Sequence, residues 1–161
     1  MRLGVWRFVT LLLSALALTM TSAHVLELPQ KLQYDAQLYS TVNTTLYRYF
    51  ALVGGFYTVR SIVAAFVLAL MLRHDGAARR WTLAGAVFMA LAFVSWLALV
   101  APVNSAIADA LRTSPDSVPA LWQQLRARWE YGHATGFVLT LVGVALLIAS
   151  VLVDTPQRRG P

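Results

Sequence analysis

Cysteine is absent from this 161-residue chain, and acidic residues number only seven. The first absence excludes a disulfide framework and any thiolate metal or redox centre, so a metal would have to be held by His, carboxylate or backbone oxygen. The second is part of a wider poverty of charge: Asp, Glu, Lys and Arg make up 12% of the residues, while 58% are hydrophobic. Ordinary soluble domains carry about 25% charged residues, so the composition points to a lipid bilayer as the solvent. A contiguous basic stripe is also missing. The 13 Lys and Arg residues give a formal net charge of +6 but lie scattered between apolar runs, which argues against a nucleic-acid partner and makes their placement a question of membrane topology. No internal repeat is visible, and the only low-complexity stretch is the Thr155–Pro161 tail.

What the chain has in abundance is long apolar segments. A bilayer core of about 30 Å needs about 20 helical residues, and four stretches supply them: 5–25, 50–72, 81–100 and 134–153. The expected fold is therefore all-α, a single integral membrane domain built as a four-helix bundle. Arg2 and Arg7 precede the first span, Arg73, Arg79 and Arg80 fill the short second link, and Arg158 and Arg159 follow the fourth span. This dense set favours the cytoplasm for both termini and for the tail 154–161, whereas Lys31, Arg48, Arg112, Arg126 and Arg128 are spread over two longer outer connections. Trp6 and Trp81 fall at the inner boundary, with Trp122, Trp129 and Tyr131 near the outer one, as an aromatic belt requires. The first 23 residues, ending in Thr21-Ser22-Ala23, also have the form of a secretory signal, and cleavage would leave three spans.

The outer connections read as short helical caps. Residues 26–49 carry Leu28, Leu32, Leu38, Tyr39, Val42 and Leu46 at helical spacing, with a kink expected at Pro29, soon after Glu27. Pro102-Val103-Asn104 ends the third span, Thr113-Ser114-Pro115-Asp116 is a loop, and Ser117 with Pro119 begins a helix that runs through Trp122 and Trp129 into the fourth span. Gly54 with Thr58, Ala86 with Ala90, and Gly136 with Gly143 offer small residues for close helix packing.

Against this apolar background two mirrored pairs stand out, His24-x-x-Glu27 and Glu130-x-x-His133. Residues three apart share a helix face, so each pair converges, and both lie at the outer boundary beside Asn104. Arg60, mid-span and costly there by about 2.5–3.5 kcal/mol, is expected to reach outward to Glu27 or Glu130. Three uses remain open: hydrogen-bonded ties between helix ends, a His/carboxylate metal site, or acid/base catalysis by an imidazole on an apolar substrate. Glu-x-x-His is a di-iron spacing, but the first motif is reversed and the two middle spans supply no acid, so no metal ligands are assigned.

The order Ala23-His24-Val25-Leu26-Glu27-Leu28-Pro29 with Lys31, then Tyr47, Gly54-Gly55, Pro102-Val103-Asn104, Arg128-Trp129-Glu130 and Gly132-His133 resembles the domain of unknown function 1772 group, also called anthrone-oxygenase-like. The resemblance covers about residues 5–153. It implies a four-helix bundle in a bacterial-type inner membrane and, by analogy with fungal members, oxidation of lipophilic aromatics such as anthrones without a cofactor. On that footing His133, His24, Glu130 and Glu27 are the candidate catalytic groups, and Asn104, Trp129 and Arg60 the candidate substrate-binding groups. The partners implied are the bilayer and a lipophilic small molecule; the oligomeric state is left open. The alternative is a non-catalytic membrane binding or assembly protein in which the polar cluster is structural.

Overall fold

The computed structural model describes residues 2–154 and is helical nearly throughout, with no strand among the described residues. Helix α1 spans Arg2–Lys31 and α2 Ala36–Thr45; a 3-10 turn at Leu46–Tyr49 leads into α3, Phe50–Met71. Helix α4 follows at Gly76–Leu99, α5 at Ala101–Thr113, and a 3-10 turn at Pro115–Ser117 opens α6, Val118–Asp154. Two of the scarce acids start helices: Asp35 accepts from the Leu38 amide at 2.7 Å, and Asp75 from the Ala78 amide at 3.0 Å. Each satisfies an amide that has no partner within its own helix.

Four segments are long and apolar enough to cross a membrane: Arg2–Lys31, Phe50–Met71, Gly76–Thr113 and Pro115–Asp154. Large apolar side chains such as Phe8, Leu52, Leu70, Val94 and Leu152 point away from the bundle. An apolar exterior of this extent is what lipid, not water, stabilises.

The long helices form a ring. Helix α1 packs on α3 and α6, α4 packs on the same two, and across the diagonals the backbones of α1 and α4, or of α3 and α6, hardly approach. The short link Leu72–Asp75 lies at one end, and α2, α5 and the first turns of α6 cap the other. Near the link end α4 and α6 touch backbone to backbone. A Cβ on Gly85 would fall 2.9 Å from the Gly143 carbonyl oxygen, and one on Gly143 would fall 3.0 Å from the Gly85 oxygen and 2.6 Å from Met89 Cγ. One turn further on, the Thr82 and Ser150 hydroxyls share a hydrogen bond at 2.5 Å, and Ser150 also donates to the Ala78 carbonyl at 3.0 Å. Arg7 and Asp154 form an ion pair that joins the start of α1 to the end of α6.

Several details differ from the sequence expectation. Pro29 lies inside α1, which continues to Lys31, and the chain still closes a helical bond from the Leu32 amide to the Leu28 carbonyl at 3.0 Å. Proline removes its own amide bond and crowds the carbonyl four residues back, and this close to the helix end both are tolerated. Near Pro102 the break is a single residue: α4 ends at Leu99, Val100 separates it from α5, and Pro102 sits in the first turn of α5, where a missing amide costs nothing. Of the paired glycines, Gly143 is a packing residue, whereas a Cβ on Gly136 would meet nothing within 4 Å. Its counterpart across the α4/α6 contact is Gly85, which sequence spacing did not single out. The tail 155–161, with Arg158 and Arg159, lies outside the described residues.

Because the neighbour of Gly143 is another backbone, Gly143→Leu is expected to destabilise the protein by about 1–3 kcal/mol through overpacking, whereas Gly136→Ala changes stability by less than about 0.5 kcal/mol. Equilibrium unfolding of the two variants in mixed micelles checks this contrast.

Candidate functional site

At the cap end α1 and α6 lie side by side, and the residues of the two mirrored motifs meet across that seam. They do not meet as the spacing implied. His24 stacks on His133, ring centroids 3.9 Å apart and planes 25° from parallel. The carboxylates go elsewhere. Lys31 Nζ sits 3.1 Å from Glu130 Oε1 and 3.9 Å from Glu27 Oε2, and the Tyr39 hydroxyl donates to Glu130 Oε1 at 2.7 Å. The reason is rotational: residues three apart on a helix are offset by about 60°, while residues seven apart are offset by only about 20°. His24 and Lys31 therefore share the stripe of α1 that faces α6 more closely than His24 and Glu27 do.

The ion pair is deeply enclosed. Lys31 is 2% exposed and Glu130 1%. The ammonium approaches Glu130 as a charge contact rather than an aligned hydrogen bond, and it also lies 4.9 Å from the centroids of the Tyr47 and Trp129 rings. A cation so placed is held by one carboxylate and two aromatic faces. Burial, then the charge of Glu130 and its hydrogen bond, push the Tyr39 phenol far above its usual range, so Tyr39 remains a donor. Arg126 lies 4.4 Å over the other side of the Tyr39 ring and donates to the Leu32 carbonyl at 3.3 Å.

Around the imidazole stack the surroundings are aromatic. Trp129 meets His24 edge-on at 5.1 Å and His133 at 4.3 Å, while Tyr47 and Phe50 lie 4.9 and 5.5 Å from His24. Trp129 Nε1 donates to Asn104 Oδ1 at 2.8 Å, which fixes both side chains and leaves the Asn104 amide nitrogen as a donor. These groups border a cavity of about 470 Å³ in the middle of the ring, where the diagonal helices fail to meet. His24, His133, Asn104 and Trp129 line it; Glu27, Glu130 and Arg60 do not. His24 is buried with Nδ1 lacking a hydrogen-bond partner, and His133 is half-buried.

Arg60 requires correction. It lies on an exposed face of α3, 5.0 Å over the ring of Phe56, and makes no ion pair with Glu27 or Glu130. The inward face of α3 is occupied instead by Ser61, Ala64, Ala65 and Leu68. The cation that serves the carboxylates is Lys31. Asn43, Phe93 and Trp96, which the sequence did not single out, also line the cavity, as do Tyr47 and Trp122, which it did not place in the site. Phe93 and Trp96 carried no signal, being two more apolar residues in an apolar span. No group of three or more His, Asp or Glu side chains converges on a metal position among the described residues. Comparison with family models, curated proteins and solved structures yields no match.

Removing Glu130 strands a buried ammonium, so Glu130→Leu is expected to cost about 3–5 kcal/mol, and adding Lys31→Met to it should recover most of that loss. Chemical unfolding of the single and double variants measures both; equal stability of the two would show that the charges act independently.

Proposed function

We propose that this chain is an integral membrane protein, of the anthrone-oxygenase-like kind, that admits a flat lipophilic aromatic molecule to the central cavity and removes a proton from it. The observation that carries the proposal is the cavity itself: about 470 Å³, walled by aromatic rings, with two imidazoles on its border and a fixed Asn104 amide beside them. This volume lies within the range of about 300–1,000 Å³ that encloses small organic ligands. The orientation that goes with it has the capped end outside a bacterial-type inner membrane and both chain ends in the cytoplasm, following the distribution of positive charge.

His133 is the base, with the His24 ring stacked against it. An anthrone is acidic at its benzylic CH2. Transfer of one of those protons to His133 leaves an enolate, whose oxygen the Asn104 amide stabilises by donating a hydrogen bond. The carbanion passes electrons to dioxygen and forms a carbon-oxygen bond; the peroxide takes up a proton, and loss of the second benzylic hydrogen with water leaves the quinone. One oxygen atom of dioxygen ends in the product and the other in water, so dioxygen is the only oxidant required.

A second reading is favoured by one specific observation: neither imidazole hydrogen-bonds to a carboxylate, since Glu130 is taken up by Lys31 and Tyr39. A catalytic histidine is usually oriented by such a partner, and its lack here suits a non-catalytic binding protein whose cluster ties the helices together. Oxygen uptake with an anthrone, measured on protein in lipid nanodiscs, separates the two. Catalysis predicts uptake above the protein-free rate, reduced about 10²-fold or more in His133→Ala and less in His24→Ala. Identical uptake in the wild type, both variants and empty nanodiscs rules out the oxygenase reading for that substrate.

A further inference from the structure

The cavity is bounded above and below by packed side chains. Its roof is the cap core, where Tyr39, Tyr47, Val103, Ile107, Trp122 and Trp129 pack as one buried cluster. Its floor is a second cluster of Ala17, Ala65, Ala86, Met89 and Leu147, just beside the Gly85–Gly143 contact. The α1/α6 wall is sealed by the imidazole stack. Between α4 and α6, a Cβ on Gly132 would already fall 2.8 Å from Val100 Cγ2 and 3.0 Å from Leu99 Cβ, so nothing passes there. Between α1 and α3, Met20 lies 3.6 Å from a Cβ built on Gly54, in ordinary contact.

The remaining side lies between the start of α3 and the α4/α5 junction. Helix α5 packs on α4 and α6 but hardly approaches α3, α2 or the turn before α3. The cavity-lining residues that are also exposed sit on the two lips of this gap: Ala51 on α3, and Ala108 and Leu111 on α5. Gly55, one turn below Ala51, also borders the cavity, and a Cβ there would meet nothing within 4 Å. Next to this lip, Leu52 is 72% exposed and Phe56 53%. Large apolar side chains turned outward place the α3 lip against hydrocarbon, while the α5 lip carries the exposed Asp109–Arg112 ion pair, so the opening lies where hydrocarbon meets the polar interface.

We infer that the cavity is filled laterally, through a portal between Ala51–Gly55 of α3 and Ala108–Leu111 of α5, by a lipophile already dissolved in the bilayer. This rests on the cavity being a ligand site and needs no catalysis. The small residues on the lips make the gap a slot suited to a flat ring system entering edge-first.

Entry is measured by stopped-flow quenching of tryptophan fluorescence with 9,10-anthraquinone in lipid nanodiscs, because Trp96, Trp122 and Trp129 border the cavity and report its occupancy. Gly55→Phe and Ala51→Leu narrow the slot without touching the imidazoles. Both association and dissociation are expected to slow about tenfold, because a barrier on the path acts in both directions. Leu32→Phe, on the exposed outer side of the cap, should leave both rates unchanged. Wild-type rates in the two α3 variants, or slowing in Leu32→Phe alone, would overturn the portal. A ligand-free measurement separates this from failure of the binding reading. The chain has no native cysteine, so a nitroxide attached at Gly55→Cys is the only label. Its relaxation should respond more to dissolved oxygen than to a water-soluble nickel chelate, and the reverse order overturns lateral entry even if anthraquinone does not quench.

Discussion

A lysine ammonium enclosed between a carboxylate and two aromatic rings fixes the first long helix against the last, and the site depends on that fixation. Bringing Lys31 and Glu130 out of water costs several kcal/mol per ion unless each finds its partner. The structure supplies both partners by setting α1 beside α6 with Lys31 level with Glu130. Two turns below Lys31 on the same stripe lies His24, so the register that satisfies the charges also places His24 on His133. Tyr39 adds a third element, since its hydroxyl reaches the same carboxylate and holds α2 over the bundle.

The cavity follows from a mismatch between the two ends of the ring. Glycine and hydroxyl residues let α4 and α6 come into backbone contact at the link end. At the cap end the same space must accommodate Trp129, Trp122, Tyr47 and Tyr39. Helices held apart by indole and phenol rings at one end and drawn together by glycine at the other leave a volume between them that no side chain fills. Packing inside lipid gains nothing from expelling water, so there is no strong drive to close such a space.

Charge and chemistry are separated as a result. The carboxylates are used on Lys31 and Tyr39 behind the wall, and the imidazoles and the Asn104 amide stay on the cavity border. Arg60 takes no part, because a guanidinium halfway along α3 lies on the outer face over Phe56, while the inner face requires small residues to meet its neighbours. The border of the cavity therefore holds no Asp, Glu, Lys or Arg side chain, and its polar groups are hydroxyls, amides, imidazoles and indole N–H groups set among apolar ones.

The four long helices, the capping elements between them and the continuous last helix from the Ser117 region are legible in the sequence, because each depends on local features: apolar length, the Thr113–Asp116 loop signal and Ser117 with Pro119 as a helix start. So are His24, His133, Asn104 and Trp129, the polar or amphipathic residues that interrupt apolar runs at one depth. Which of them touch was not legible. Three-residue spacing places His24 and Glu27 near one face, yet the partner of each side chain is chosen by the helix opposite, and that depends on the ring order of α1, α3, α4 and α6. Composition and periodicity alone determined that this chain makes four apolar helices with a polar band at one end, since those properties belong to single helices in a low-dielectric solvent. Only tertiary structure decided that Lys31, not Arg60, neutralises the buried carboxylate, that the histidines stack on each other, and that an aromatic cavity opens beside them, because each is a relation between helices distant in sequence.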